Sequence, residues 1–542
     1  MSRINRSRKI ALASVVVLPL VAGGFMLQSR VVRGGEALLD QVLQLVGERY
    51  VDTLDQGQLY EKAARGLVKE LNDPYSELLA PKELKAFTTN TGGRYGGIGM
   101  QIEPQQSQIV ISKVFPNTPA EAAGVREGDR IVQIDTIHVV NWTTQQAQDQ
   151  LMGVPGTKVT VKFGRPGVAT PIEVHFTRAV IHVPAVRYAI SFGPNGDKVG
   201  YVPLDRFNET AAQEVQEAVR TLQKQNVRGI VLDFRGNPGG ILDQSLAISN
   251  LFLKDGQEIA SIRARNGETQ PYVARGTPAL PTTPLVVLTD EYTASASEIV
   301  AGALQDHDRA LILGQTSFGK GLVQSVFNLD GGYALKLTTA KWYTPSGRSI
   351  QKERKFENGH FVETPPDTTA ETESVKKNRP AYKSDAGRVV YGGGGITPDV
   401  IVADDTLTSA EQRLAKALAA KQQDFYTTYY DYSLELSKKV DKDFKLDPQW
   451  REELLRRLQA KGVTLDRKDW DASSRYIDRL LEQRVARFAS GDSSAKRRDL
   501  PYDAPLRKAI ELLDKGTTQK ELFAIASSEA ARMPMAQAKR QQ

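Results

Sequence analysis

Pro284-Leu-Val-Val-Leu-Thr289, followed by Asp290-Glu-Tyr-Thr-Ala-Ser295-Ala-Ser-Glu298-Ile-Val-Ala-Gly-Ala-Leu-Gln-Asp306, is the stretch on which the fold turns. Its first six residues are apolar and β-branched for the length of a strand, whereas Ile299, Val300, Ala303 and Leu304 recur at helical spacing. A buried strand therefore runs into a helix. Ser295 stands near the first helical turn, where backbone N–H groups are unpaired and the helix dipole favours negative charge. Such a position suits a nucleophile whose attack creates an oxyanion. Ser295-Ala-Ser-Glu298 is equally an S-x-x-E capping box, which starts a helix without any chemistry. This stretch alone leaves both readings open.

The chain has 542 residues, too many for one core, so about two to four domains are expected. Its 71 basic and 64 acidic residues are nearly balanced and form no basic stripe, which argues against a nucleic-acid partner. The absence of cysteine excludes disulfides, a thiol nucleophile and a cysteine-based zinc site. Five histidines occur, and no pair has the spacing of a helical metal site, so neither a metal nor another cofactor is expected.

Outward from the central stretch, the N-terminus pairs Arg3, Arg6, Arg8 and Lys9 with an uncharged apolar run over residues 10–27. Residues 1–30 thus read as a signal peptide or membrane anchor, and an uncleaved anchor places the rest outside the inner membrane, in the periplasm. Residues 31–92 read as a helical module. Leu38, Leu39, Val42, Leu45 and Val46 form one apolar face, and Leu59, Ala63, Leu67 and Leu71 another.

Over residues 93–168, Tyr95-Gly-Gly-Ile-Gly-Met100, Thr118-Pro-Ala-Glu-Ala-Ala-Gly124 and Gly128-Asp-Arg-Ile131 follow one another, and together they resemble a PDZ domain of the bacterial protease type. The resemblance implies a bound peptide C-terminus, its carboxylate on the loop Gly97, Ile98, Gly99 and Met100. The apolar pocket would come from Ile98, Met100, Ala147 and Leu151.

Residues 169–403 alternate strands and helices. Asp233-Phe-Arg-Gly-Asn-Pro-Gly-Gly240 makes a glycine-rich turn directly after a buried strand. Gly314-Gln-Thr-Ser-Phe-Gly-Lys-Gly321 misses a phosphate-binding P-loop by its last residue, and the strand-like Leu322–Phe327 stands where that loop needs a helix. A polar insertion over 352–391 is expected at the surface or as a lid. Residues 404–542 read as an appended all-α domain.

A serine hydroxyl needs a base, and no histidine is well placed. A free lysine has a pKa of about 10.4 and acts as a base only when apolar burial lowers it. Lys320 has the right flanks, Phe318, Gly319, Gly321, Leu322 and Val323, with no acid among them, and Gln324 can orient the amine without adding charge.

Thr293-Ala-Ser-Ala-Ser-Glu-Ile299, Phe318-Gly-Lys-Gly-Leu-Val-Gln324, the Asp233–Gly240 turn, Tyr343-Thr-Pro-Ser-Gly347 and Gly395-Ile-Thr-Pro-Asp399 together resemble the carboxyl-terminal processing peptidases, or tail-specific proteases. The resemblance covers residues 35–402. It implies a multidomain α+β chain with a ClpP/crotonase-like α/β core, Ser295 as nucleophile, Lys320 as general base and Gln324 as the residue positioning the lysine. The backbone N–H groups of Ala296 and Gly240 would form the oxyanion hole, and Asp306 would be structural. Substrates would be proteins with accessible C-termini. The helical terminal regions are candidates for contacts with a second copy or an adaptor protein. The competing reading is an anchored PDZ scaffold whose protease core is inactive.

Overall fold

The computed structural model describes residues 36–105, 108–165, 168–193, 198–352, 355–357, 360–362 and 379–528. The apolar run 10–27 lies outside them, and among the described residues no helix is long and apolar enough to cross a membrane. The chain divides into two units. One holds the residues up to Pro81 with Gln324–Thr338 and Phe356–Phe361, and the other holds the remainder.

In the smaller unit the expected helices form at 36–49 and Gln56–Lys69, the second capped by the Asp55 carboxylate. Strand Glu77–Leu79 pairs antiparallel with residues 334–336. The Tyr333 hydroxyl donates to Glu61 at 2.9 Å, and the Thr338 N–H donates to Ser76 Oγ at 3.0 Å. Leu43 and Val68 are buried, but Leu38, Leu39, Val42, Leu45, Leu67 and Leu71 are exposed. The helical spacing is real, with Val46, Leu59 and Ala63 half-buried, yet much of the apolar face is left uncovered among the described residues.

The larger unit opens with the PDZ sheet. Its strands lie in the order Met100–Gln105, Gln108–Val114, Arg130–Ile134, Lys158–Gly164, Ile172–Thr177, so the last extends beyond the expected boundary at 168 and the first is an edge. Helix Thr144–Leu151, started by a Thr143–Gln146 capping box, buries Ala147 and Leu151 against Ile98, Met100 and Ile111.

The region expected as the protease core is built on a six-stranded sheet whose strands lie side by side in chain order: β1 (Ile190–Phe192), β2 (Val199–Pro203), β3 (Gly229–Asp233), β4 (Leu285–Thr289), β5 (Leu311–Gly314) and β6 (Val400–Ile401). Only β1 is antiparallel to its neighbour. A parallel sheet must be covered on both faces, which is why β3 and β4 read as apolar runs up to their last residues, Asp233 and Thr289. Helices α1 (Ala211–Lys224), α2 (Leu242–Asn250) and α3 (Ala296–Asp306) cover one face, meeting Val202, Leu232, Val287 and Ile312.

The other face is covered from an unexpected place. Helix α4 (Ala504–Lys515), expected within the appended all-α domain, lays Leu506, Ala509, Leu512 and Leu513 on Val231, Val286, Leu288 and Leu311. The five helices between Ser409 and Asp499 do have a core of their own, around Leu454, Leu458, Trp470 and Leu481. Within it Tyr429 and Tyr432 serve as core, whereas the Tyr430 hydroxyl donates to the Ile111 carbonyl of the PDZ sheet at 2.9 Å. Lys113–Asp492 at 2.5 Å and Arg130–Asp431 at 3.4 Å extend that contact.

Part of the expected polar insertion 352–391 is core as well. The hairpin Ala381–Lys383/Val389–Tyr391 docks through Arg388, which pairs with Asp308 and Asp399 and donates to the Gln305 carbonyl.

Candidate active site

The parallel register brings the ends of β3 and β4 together. After β4, Asp290 turns its carboxylate back onto the N–H groups of Gly236, Tyr292 and Thr293 at 2.9–3.1 Å. The Thr293 hydroxyl donates to the Phe234 carbonyl at 2.9 Å, and the Ala294 N–H to the Asn237 carbonyl at 3.0 Å. The two motifs flanking these strand ends are thereby laced into one loop pair. Ser297 is fully buried and spends its hydroxyl on the Asn237 carbonyl at 3.1 Å. Ser295 is only half-buried and holds φ 56°, ψ −114°. A serine with positive φ is strained, and such strain collects where a side chain must be presented at a set angle.

The capping box is present in its Glu298 half, and it reaches further than a cap. Glu298 has no exposed surface; its Oε2 accepts the N–H groups of Ser295 at 2.7 Å and Lys320 at 2.9 Å. Its Oε1 accepts the Gly319 N–H at 2.7 Å and the Ser317 hydroxyl at 2.5 Å. One carboxylate thus ties the backbone of the predicted nucleophile to that of the predicted base. Burial pushes its pKa up, while these four hydrogen bonds oppose the shift. The sequence motif signalled the bond to Ser295; the bonds to the 317–320 loop, about twenty residues on, carry no local signal.

The lysine loop is held on its other sides too. The Lys320 carbonyl accepts from the Trp342 indole at 3.0 Å, and the Gly321 N–H donates to Gln351 at 2.8 Å. Ser317 exchanges bonds with Ile396 of the Gly-Ile-Thr-Pro motif. Residues 315–321 are irregular and lead into strand Leu322–Asn328, so no helix follows the near-P-loop. In that strand the Gln324 side chain donates to Thr338 Oγ1 at 3.2 Å. Asp306 is buried in a pair with Arg348 at 2.7 Å and accepts the Ser346 N–H at 3.0 Å, a set of structural bonds.

Opposite Ser295 lies the Asn-Pro-Gly-Gly turn. A Cβ on Gly239 would come within 2.9 Å of Ser295 Cβ and 2.8 Å of the Ala296 nitrogen, so only glycine permits this approach. The Gly239 N–H is taken by Asn237 Oδ1 at 2.9 Å. Neither the Ala296 nor the Gly240 N–H has a partner among the described residues. The first of these donors follows Ser295 directly in the chain, and the second follows Gly239, the residue that approaches Ser295.

The PDZ edge strand borders a groove of about 230 Å³, with Gly97–Ile102 on one side and Gln148, Leu151 and Met152 on the other. Ile98, Gly99, Met100 and Leu151 line it, while Gly97 is also paired with Ala179. Gly99 has φ 91°, and a Cβ there would overlap Thr118 at 2.2 Å. Ala147 lies wholly in the PDZ core.

Comparison with known proteins gives this arrangement a lineage. Residues 198–359 match the model of peptidase family S41, residues 88–163 that of the PDZ domain, and residues 34–82 that of the activating protease CtpB N-terminal domain. A carboxy-terminal-processing protease of Bartonella bacilliformis is 37% identical over 319 residues, 58% of this chain and 72% of that protein. The carboxy-terminal processing protease CtpA of Bacillus subtilis is 32% identical over 343 residues, 63% of this chain and 72% of that protein. CtpB of the same organism is 34% identical over 314 residues, 58% of this chain and 65% of that protein. With its strained serine, paired loops and PDZ groove in the family's order, the chain belongs to the carboxy-terminal processing proteases of peptidase family S41.

Proposed function

We propose that this serine-type endopeptidase cleaves exported proteins near their C-terminal tails by an acyl-enzyme route, with Ser295 as nucleophile and Lys320 as its base. Neutral Lys320 takes the Ser295 proton as the oxygen attacks a peptide carbonyl. The Ala296 and Gly240 N–H groups receive the oxyanion. Lys320 then gives its proton to the leaving amine, and water releases the acyl group by the same path in reverse. Gln324 orients the lysine. The observation that carries this reading is the buried Glu298 carboxylate, which joins the Ser295 and Lys320 backbones.

The groove beside Gly97–Ile102 supports capture of a substrate tail by strand addition. The basic and apolar segment over residues 3–27 supports an inner-membrane anchor with the protease on the periplasmic side. The uncovered apolar face of the N-terminal helices supports association with a second copy or an adaptor.

A fluorophosphonate probe tests the chemistry. Ser295 is expected to be labelled, Ser295→Ala to abolish labelling, and Lys320→Ala to slow it by about 10²-fold or more. Full peptidase activity in Ser295→Ala would sink the mechanism. Absence of labelling with every substrate and partner tried would favour the inactive PDZ scaffold.

A further inference from the structure

The turn that carries Gly240 is tied down residue by residue. Gly236 is held by Asp290, Asn237 by the Leu204 carbonyl at 2.6 Å, and Gly239 by Asn237 and by the Phe207 N–H. All of these ties stay within the catalytic core. The tie at Arg235 does not. Its guanidinium forks onto Asp233 with Nε and Nη2, and onto Asp503 with Nη1 and Nη2, both at 2.9 Å. Asp503 lies 268 positions away in the chain, outside the span that matches the peptidase model.

Asp503 is built into this place. Its side chain is 5% exposed. It accepts Lys496 Nζ at 2.6 Å and caps α4 by accepting the Leu506 N–H at 3.0 Å. The Tyr201 hydroxyl closes the other side of the cluster by donating to Asp233 at 2.8 Å. Burial opposes ionisation of Asp503, but the hydrogen bonds from Arg235 hold its carboxyl below the usual range, so it faces Arg235 as an anion. Buried ion clusters add little stability over apolar packing of the same volume. What a bidentate arginine–carboxylate fork does supply is a fixed direction, here for the first residues of the turn that ends at Gly240.

We propose that Asp503 is a positioning residue for peptide hydrolysis, acting through Arg235 to hold the Asp233–Gly240 turn where the Gly240 N–H meets the oxyanion. This rests on the reading of that N–H as an oxyanion donor. Removal of one such donor costs about 10²–10³ in rate, and slack of about 1 Å in a supporting loop costs about 10². The α4 segment therefore takes part in catalysis without touching substrate.

The full chain is tested with fluorescein-labelled casein and with the fluorophosphonate probe, whose phosphoryl oxygen occupies the oxyanion site as Ser295 attacks. Asp503→Asn is expected to lower the limiting rate of phosphonylation about 10- to 100-fold with probe affinity within about twofold, and to lower casein cleavage in parallel. Arg235→Lys keeps the charge, loses the fork and is expected to give the same pattern. Asp514→Asn breaks the 3.1 Å Arg228–Asp514 bond made by the same helix and is expected to leave both rates unchanged. A wild-type phosphonylation rate in Asp503→Asn, or an equal loss in Asp514→Asn, would overturn the proposal. Should Asp503→Asn fail to fold, Arg235→Lys decides by the same readouts. Failure here beside an inert Ser295→Ala leaves the Ser295–Lys320 mechanism standing, whereas an active Ser295→Ala removes the mechanism itself.

Discussion

Glu298 has four hydrogen-bond donors around it, and a neutral isostere cannot serve them all. In Glu298→Gln one oxygen becomes an NH₂ group facing N–H or O–H donors, so two of the four bonds are lost or inverted. Each unsatisfied buried group costs about 1–3 kcal/mol. The expected result is a fall in Tm of several degrees and a fall in kcat of about 10-fold or more, since the Ser295 and Lys320 backbones are no longer tied together. Kinetics at a temperature where the variant remains folded separate the two effects, and wild-type kcat there would refute the tie. At this scale the sequence speaks clearly where partners are close in the chain. Ser295, Ser297 and Glu298 sit within one helical turn, and their motif foretells both the cap and the serine. Arg235 carries no local sign of Asp503, because its partner is chosen by how distant elements pack.

At the scale of elements, Glu127 of the PDZ domain is half-buried, within electrostatic reach of Lys113 on the PDZ sheet and of Asp492, Arg487 and Arg484 on helix Ser474–Asp499. Burial pushes its carboxyl up to about 7, against the pull of Lys113, Arg487 and Arg484 and with the push of Asp492. The folded state therefore keeps a proton that the unfolded chain releases near pH 4.5. Stability contributed by this site is present at low pH, falls as pH rises from about 4.5 to about 7, and is constant above. Glu127→Gln is expected to be more stable than wild type at pH 8, by no more than about 3 kcal/mol, and indistinguishable from it near pH 4.5. Thermal melts at pH 5, 6, 7 and 8 check this, and a difference that stays constant with pH contradicts it. Elements themselves were largely legible. The strand-like runs Val199–Leu204, Gly229–Phe234 and Pro284–Thr289 are largely apolar because both faces of the sheet are buried, and the amphipathic spacing over Ala211–Leu222 and after Ser295 foretells α1 and α3. The pattern of α4 foretells an amphipathic helix but not which surface it covers, so it was expected in the wrong layer.

At the scale of the molecule, that layer decides what can be removed. Leu506, Leu512 and Leu513 are fully buried on the sheet, and each contributes about 1.5–3 kcal/mol of burial. Their sum rivals the whole stability of a typical domain, about 5–15 kcal/mol. A chain cut after residue 503 is therefore expected to be insoluble or to elute as aggregate in size-exclusion chromatography, whereas an appended domain could be cut away cleanly. A soluble, monodisperse product would contradict the layer assignment.

The position of α4 late in the chain also sets an order of assembly. Synthesis from the N-terminus makes Ser295, Lys320 and the Gly240 turn well before residues 503–513 emerge. Until then one face of the sheet lies bare and Arg235 has no Asp503 to meet. Burial of that face and closure of the Arg235–Asp503 fork are thus late events in synthesis, and they come after every strand of the first four in the sheet has been made.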